Sequence, residues 1–440
     1  MKCLTPNLLG LLLLLSACVQ FKPRPLSAGR SCAEFEKRSL SDDGLRQFLA
    51  EQSALDIPWN VDKLSLVAVY FHPDVALAMA EAEEVAARLQ SARMRPNPVF
   101  TFSPQFASSR APAFTPWFFG GNLQLPIETA GKRDKRVDQA NAAAEAAELR
   151  VFARAWAARS RVRAALLDLH AGLQNSSLLE VEQHLHEEAI IKLTAQLQAG
   201  EVSPFELTQA RLMLNRTRLS LEDALRVAAS AKHRVAAAIG VPSKAIEGLQ
   251  IDYSNFERLP EPKQCDRVAL TQRVDLLALL AEYAAAEGAL RLEVAKQYPD
   301  VNLGPGYDYN SGQNRWQLGF SLPVPFNRNR GPIAEAEARR YTAERRFLAQ
   351  QAAIEGELNV AKAAYVAARA KATTAGHLAK EAARALQATR SMVNAGAVSA
   401  LEVTRRQIEA STANLALQAA LVEAQTAAGT LEDAIQAPLR

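Results

Sequence analysis

The sequence predicts a mainly α-helical chain with a small β part, in which long antiparallel helical hairpins alternate with four strands. Three observations lead there. First, residues 65–240 and 266–437 read as two copies of one unit: Asp74 matches Asp275, Pro98 matches Pro299, Gln124-Leu125-Pro126-Ile127 matches Ser321-Leu322-Pro323-Val324, and Ala199–Ser203 matches Ala395–Ser399. Second, no proline lies between Pro126 and Pro204 or between Pro332 and Pro438, and these spans are rich in Ala, Glu, Arg, Leu and Gln, which favour helix. Third, each copy contains two short runs of alternating apolar and polar residues, the pattern of a half-buried strand. A repeat this long is a duplicated half-molecule and not a solenoid.

The elements follow in chain order. Residues 1–17 read as a targeting segment: Lys2, an apolar run Leu8–Leu15 too short to span a bilayer, then Leu15-Ser16-Ala17-Cys18. Small residues directly before a cysteine resemble a bacterial lipobox, which implies cleavage before Cys18 and a lipid on its thiol. Val19, and not Asp, follows the cysteine, so the outer membrane is the expected destination. An ordinary cleaved signal peptide is the alternative. Residues 18–64, with scattered Pro, Ser and Gly, are expected to form an extended segment draped on the body.

The first copy, residues 65–240, opens with an Ala-rich helix over 74–95, ended by Pro96 and Pro98. Val99–Phe106 and Trp117–Pro126 form a hairpin. From about Thr129 to Ala199 runs one helix of roughly 70 residues, hence about 100 Å. Gly200–Pro204 breaks it, Phe205–Ile239 returns, and Gly240-Val241-Pro242 stops the return. Residues 241–265 are a linker. The second copy, residues 266–437, repeats the order: a helix over 266–297, strands Val301–Asn310 and Arg315–Val324, a long helix over 332–394, a turn at Ala395–Ser399, and a return over 400–435. The two half-length helices of each copy together match its long one, so they can stack end to end alongside it. Leu166, Leu169, Leu173 and Leu207, Leu214, Leu221 fall at coiled-coil-like spacing.

Composition limits the function classes. The net charge of +4 over 440 residues gives no case for nucleic-acid binding. His184 and His186 stand two apart on a helix and face different ways. No His/Cys/Asp cluster has metal-ligand spacing, no Ser/His/Asp or paired-carboxylate arrangement stands out, and Asp168 and Asp308 are isolated. The expectation is a protein that is no enzyme and carries no cofactor and no metal site. Cys32 and Cys265 form an even pair in an exported chain, each ahead of one copy, so they are a candidate disulfide, with two free thiols as the alternative.

The strands carry aromatic and β-branched residues, among them Phe100, Phe102, Phe106, Trp117, Phe119, Tyr307, Trp316 and Phe320. Aromatics near hairpin ends suit membrane–water interfaces. An open four-stranded sheet cannot sit in lipid, because its edges leave backbone groups unpaired. Closure has to come from several chains. Two give eight strands and three give twelve, and only the larger barrel leaves a channel.

At this point the residues carry a resemblance that covers the mature chain. Asn97-Pro98, then Leu125-Pro126-Ile127-Glu128-Thr129-Ala130-Gly131-Lys132-Arg133, and in the second copy Leu322–Gly331, resemble the TolC family of outer-membrane channels. The two hairpin exits resemble most its heavy-metal branch, the cobalt–zinc–cadmium resistance outer-membrane factors. The resemblance implies a homotrimer: a twelve-stranded barrel on a long helical tunnel, serving as exit duct of a tripartite efflux pump of RND type. Its partners would be a periplasmic adaptor, an inner-membrane pump and outer-membrane lipids. It further implies that the turns at Gly200 and Gly396 are periplasmic tips that open and close, with Glu206 and Glu402 near the constriction. Three copies would give six carboxylates, a cation-attracting ring; solvated helix-start acids are the alternative. The family's tyrosine and arginine gate positions fall on Val393 and Val398, so its polar latch is not carried over. Lys132, Arg133, Lys135 and Arg136, with Arg328 and Arg330, form a candidate basic collar near lipid headgroups. The rival functions are a type I secretion duct for peptides or proteins and a periplasmic coiled-coil adaptor.

Overall fold

A computed structural model describes residues 20–106, 108, 116–261, 271–310 and 312–439. Helices dominate. They are α1 (Ala28–Glu36), α2 (Asp43–Glu51), α3 (Val61–Phe71), α4 (Pro73–Arg93), α5 (Lys132–Gln198) and α6 (Pro204–Ile239) in the first half, then α7 (Val274–Ala295), α8 (Arg330–Asn394) and α9 (Ala400–Ile435). Four strands, β1 (Val99–Phe106), β2 (Trp117–Ile127), β3 (Val301–Asn310) and β4 (Gln313–Ser321), form one antiparallel sheet in the order β1-β2-β3-β4.

The expected repeat governs the architecture. α5 has 67 residues and α8 has 65, each roughly 100 Å long at 1.5 Å per residue. Alongside α5 stand the 21-residue α4 and the 36-residue α6; alongside α8 stand the 22-residue α7 and the 36-residue α9. Both α7 and α9 also pack on α5, which joins the two copies. Leu166, Leu169, Leu207 and Leu214 are buried in these seams, whereas Leu173 is exposed and Leu221 half-buried. The turns at both tips need a left-handed residue, and glycine supplies it at Gly200 (φ 77°) and Gly396 (φ 73°).

The segment before the first copy differs from expectation. It is not extended: it holds α1, α2 and the first turn of α3, and the predicted boundary at residue 65 falls inside α3. Sequence punctuation masked short, well-capped helices, since Asp42 accepts from Leu45 N and Asn60 accepts from Lys63 N. Leu45, Leu49, Leu64 and Val67 then enter the main core with Leu166, Val235 and Ile239. Arg38 fastens the segment by donating to Phe71 O at 2.9 Å and Gly240 O at 2.8 Å, the open carbonyls of two helix ends. Within the linker, Ser243–Ile246 forms one 3₁₀ turn and Ser254–Glu257 one helical turn.

A second core at the same height belongs to the second copy: Leu276, Ile354, Leu358, Tyr365, Leu431 and Ile435. A buried polar joint ties it to the first. Arg163 on α5 donates to Gln425 O (2.9 Å) and Gln425 Oε1 (3.1 Å) on α9, and its Nε lies 3.3 Å from Glu432. Gln425 Nε2 in turn donates to Phe256 O and Arg258 O, both at 2.9 Å. These groups are almost wholly buried, so each bond is needed to offset desolvation.

Candidate functional site

The sheet has two unlike faces, and the register assigns every residue to one of them. Phe100 pairs with Leu123, Phe106 with Trp117, Phe119 with Tyr309, Tyr307 with Trp316, Pro305 with Leu318 and Leu303 with Phe320, all on one face. The opposite face carries Thr101, Ser103, Gln105, Asn122, Asp308, Arg315 and Gln317. On the apolar face Trp316 is 82% exposed and Phe320 79%, the reverse of what a sheet folded against a water-soluble core would show. Strands β1 and β4 are the edges, each paired on one side only.

Below the sheet the candidate collar does something other than wait for lipid. Lys132 is buried, and its Nζ lies 2.7 Å from Asp300, at the point where α7 leads into β3. Asp300 also accepts from Thr129 N at 2.9 Å. Arg136 holds Glu128 with two bonds, 2.6 and 3.2 Å, and donates to Ala92 O and Met94 O; Arg133 Nε donates to Arg93 O. These cations cap the end of α4 and lock the exit of β2 to the entrance of β3. Arg328 and Arg330 are exposed and Lys135 is half-buried. The collar facing outward is therefore smaller than the sequence indicated, with Lys132 removed from it by burial. Between α4, α5, α7 and α8 lies a hollow of about 900 Å³, walled by alanines such as Ala140, Ala143 and Ala285 and rimmed by arginines including Arg88 and Arg346.

At the far end both predicted acids sit in the first turns of α6 and α9, but neither stands free. Glu206 lies 3.3 Å from Arg405, and Glu402 lies 3.1 Å from Arg406. A ring built from them carries arginines beside its carboxylates. Sequence reasoning missed Arg405, because nothing in the spacing shows that α9 comes beside the start of α6, and it missed Arg406, although that residue stands four positions after Glu402 on the same helix. It also missed Lys192 on α5, which donates to Thr404 Oγ1 (2.7 Å) and Ala400 O (3.3 Å) and pairs with Glu188 at 2.7 Å. Deeper still, Glu182 is buried on α5 and accepts from Thr217 of α6 (3.3 Å) and Thr412 of α9 (3.5 Å), with His186 Nε2 3.9 Å away. Burial pushes the Glu182 carboxyl up, but His186 and the Thr217 hydroxyl more than offset it, so it titrates below its ordinary value. His184 is exposed and points elsewhere, as its spacing required. Among the described residues no three His, Cys, Asp or Glu side chains gather as a metal site. Cys32 is exposed on α1 with its thiol 3.8 Å from Glu36; its expected partner Cys265, like Cys18, lies outside the described residues.

The sequence model of the outer membrane efflux proteins matches residues 70–241 and 267–435, the two copies themselves. The chain belongs to the outer membrane efflux protein family. It is an outer-membrane channel protein of an efflux system. Among relatives of this outer membrane efflux protein, the cobalt-zinc-cadmium resistance protein CzcC of Cupriavidus metallidurans is 23% identical over 304 residues, 68% of this chain and 71% of that protein. The outer membrane protein VceC of Vibrio cholerae has the same fold, with a TM-score of 0.69 at 17% identity over 90% of this chain and 98% of that one. The channel-forming protein CusC follows, with a TM-score of 0.68 at 18% identity over 85% of this chain and 91% of that one.

Proposed function

We propose that this chain is the exit duct of a tripartite pump that expels heavy-metal cations, assembled as a homotrimer and anchored by a lipid on Cys18. The observation that carries the trimer is the sheet: two bare edges, one aromatic face and one polar face. Lipid leaves no backbone donor unpaired, so β4 of one protomer pairs with β1 of the next, and three protomers close twelve strands. The polar face then lines the lumen and the aromatic face meets the acyl chains. The duct performs no covalent step. Energy comes from an inner-membrane pump, and a periplasmic adaptor joins the two. The likeness to a cobalt-zinc-cadmium resistance protein supports divalent cations as cargo.

A host lacking this gene should accumulate more Zn²⁺ and Cd²⁺ than one carrying it, and the plasmid-borne gene should restore export. Unchanged metal accumulation, with sensitivity to organic compounds instead, would redirect the assignment to another cargo. Secreted peptide lost on deletion would favour the type I secretion reading.

A further inference from the structure

The hollow below the sheet has a direction. Its walls stand in a row, since α4 packs on α5, α5 on α7 and α7 on α8. Side chains of all these helices reach it, those of the first and the last included. Only the inner side of a curved row brings its two ends to one hollow. Rows closed into a tube turn that side to the lumen; this step rests on the trimer proposed above. The height is fixed as well. Arg136 lies on the second turn of α5 and Glu335 on the second turn of α8, directly below the strands.

Two kinds of surface meet there. Alanines of α5, α7 and α8 form the floor, and five arginines form the rim: Arg88, Arg136, Arg150, Arg339 and Arg346. Helix packing explains only part of the floor. Where α5 and α7 touch, a Cβ on Gly288 would come within 2.9 Å of Gln139 Cα, so small residues are needed at that seam. Ala338 on α8 is exposed, and no seam requires it to be small. The rim outnumbers its acids, because only Glu282 and Glu335 share the lining with the five arginines. Glu282 pairs with Arg150 and Glu335 with Arg339, while Arg88 and Arg136 pair with Glu84 and Glu128 outside the lining. Arg346 makes no ion pair among the described residues. Arg339 and Glu335 are 72% and 62% exposed, and the Arg88–Glu84 pair is similarly open. Exposed pairs are weak, so these guanidiniums can turn to an incoming anion at little cost. Each offers a carboxylate or sulfonate two parallel donors. An inorganic anion would use the rim and leave the alanine floor wet; an apolar body would cover it. We infer that the hollow binds a small organic anion, acid group on the arginines and apolar body on the alanines, and that one such site per protomer girdles the lumen below the barrel. A free divalent cation is repelled from this wall, so the site serves a second class of ligand.

The test is equilibrium dialysis of naphthalene disulfonate against the full-length assembly in nonionic detergent at low salt, with detergent alone as background. Saturable binding of one disulfonate per chain is expected. Arg88→Gln with Arg346→Gln should weaken it by about tenfold or more. Both side chains are exposed, so the fold is spared. Should that double variant fail to assemble, Arg346→Gln alone decides, since it breaks no ion pair and should still weaken binding by about threefold, whereas Arg346→Lys should restore part of the loss. Inorganic phosphate should compete at least about tenfold more weakly than the disulfonate, because it has no apolar body. Unchanged binding by the arginine variants, or phosphate competing as well as the disulfonate, would overturn the inference. A particle of three chains that exports metal and binds no disulfonate would overturn it alone and leave the trimer and its cation cargo standing.

Discussion

Replacing either member of the Lys132–Asp300 pair should weaken the barrel-to-tunnel joint, but unequally. Lys132 is 8% exposed at its side chain and Asp300 is 40% exposed. Lys132→Met leaves Asp300 with Thr129 N still donating at 2.9 Å and with water within reach. Its cost lies near the exposed-pair range, about 1–2 kcal/mol. Asp300→Asn leaves an ammonium enclosed beside a neutral amide and removes the charge that drew Thr129 in. Breaking a pair so that a buried charge is stranded costs about 3 kcal/mol or more. The Lys132→Met, Asp300→Asn double variant should recover more than the Lys132→Met penalty, roughly 2–3 kcal/mol of the summed penalties, because the stranded charge is gone. The assay is thermal dissociation of the detergent-extracted assembly, read as loss of the heat-sensitive band on a denaturing gel. The expected order of midpoints is wild type, Lys132→Met, double variant, Asp300→Asn. A lower midpoint for Lys132→Met than for Asp300→Asn, or strict additivity in the double variant, would refute the burial argument.

Further predictions follow from the same geometry. Glu182 has a folded-state pKa below its unfolded value, so it contributes stability above the ordinary carboxylate range and loses it as pH falls through the folded value. Glu182→Gln should therefore cost about 1–2 kcal/mol at pH 7 and progressively less as the pH falls below the ordinary carboxylate range, by urea unfolding of the helical part; a penalty unchanged across that fall would contradict this. Because Arg405 and Arg406 pair with the tip acids, Glu206→Gln with Glu402→Gln should unmask cations and move selectivity toward chloride in asymmetric KCl, and an unmoved reversal potential would place these acids away from the constriction. Trp316→Arg, on the apolar face, should reduce assembly in the outer membrane by roughly thirtyfold or more, as a charge facing lipid costs about 2–4 kcal/mol, whereas Gln317→Arg on the polar face should assemble normally. Cys18→Ser should abolish incorporation of labelled fatty acid and leave the precursor uncut, and retained label would remove the lipobox reading.

The large elements were legible because their signals are long. A 67-residue helix sums many small propensities, and the duplicated Pro98/Pro299 and Gly200/Gly396 marks fix both copies at once. Strand ends fell within a few residues for the same reason: Val99 and Asn310 adjoin prolines or turn residues that cut the alternation cleanly. The N-terminal helices were not legible. Each is only 9 to 11 residues long; α1 buries no residue, and the apolar faces of α2 and α3 make sense only once the core they join with α5 and α6 is assembled. The tip illustrates a second limit. Glu206 and Glu402 were visible from their distance to the turn glycines, and Arg406 was legible four positions after Glu402, yet Arg405, the partner of Glu206, lies 199 positions away on a helix whose azimuth depends on packing against α5. Lys132 looked like a surface cation from its neighbours in sequence and became a buried tie because Asp300, 168 positions away, meets it.

The central claim, that one protomer owns only a third of its barrel, is tested most directly by the native mass of the detergent-extracted protein. The account predicts three chains per particle, none of them released as folded monomer until the detergent-held barrel is heated. A stable monomer in aqueous buffer without detergent, its aromatic strand face still ordered, would contradict it.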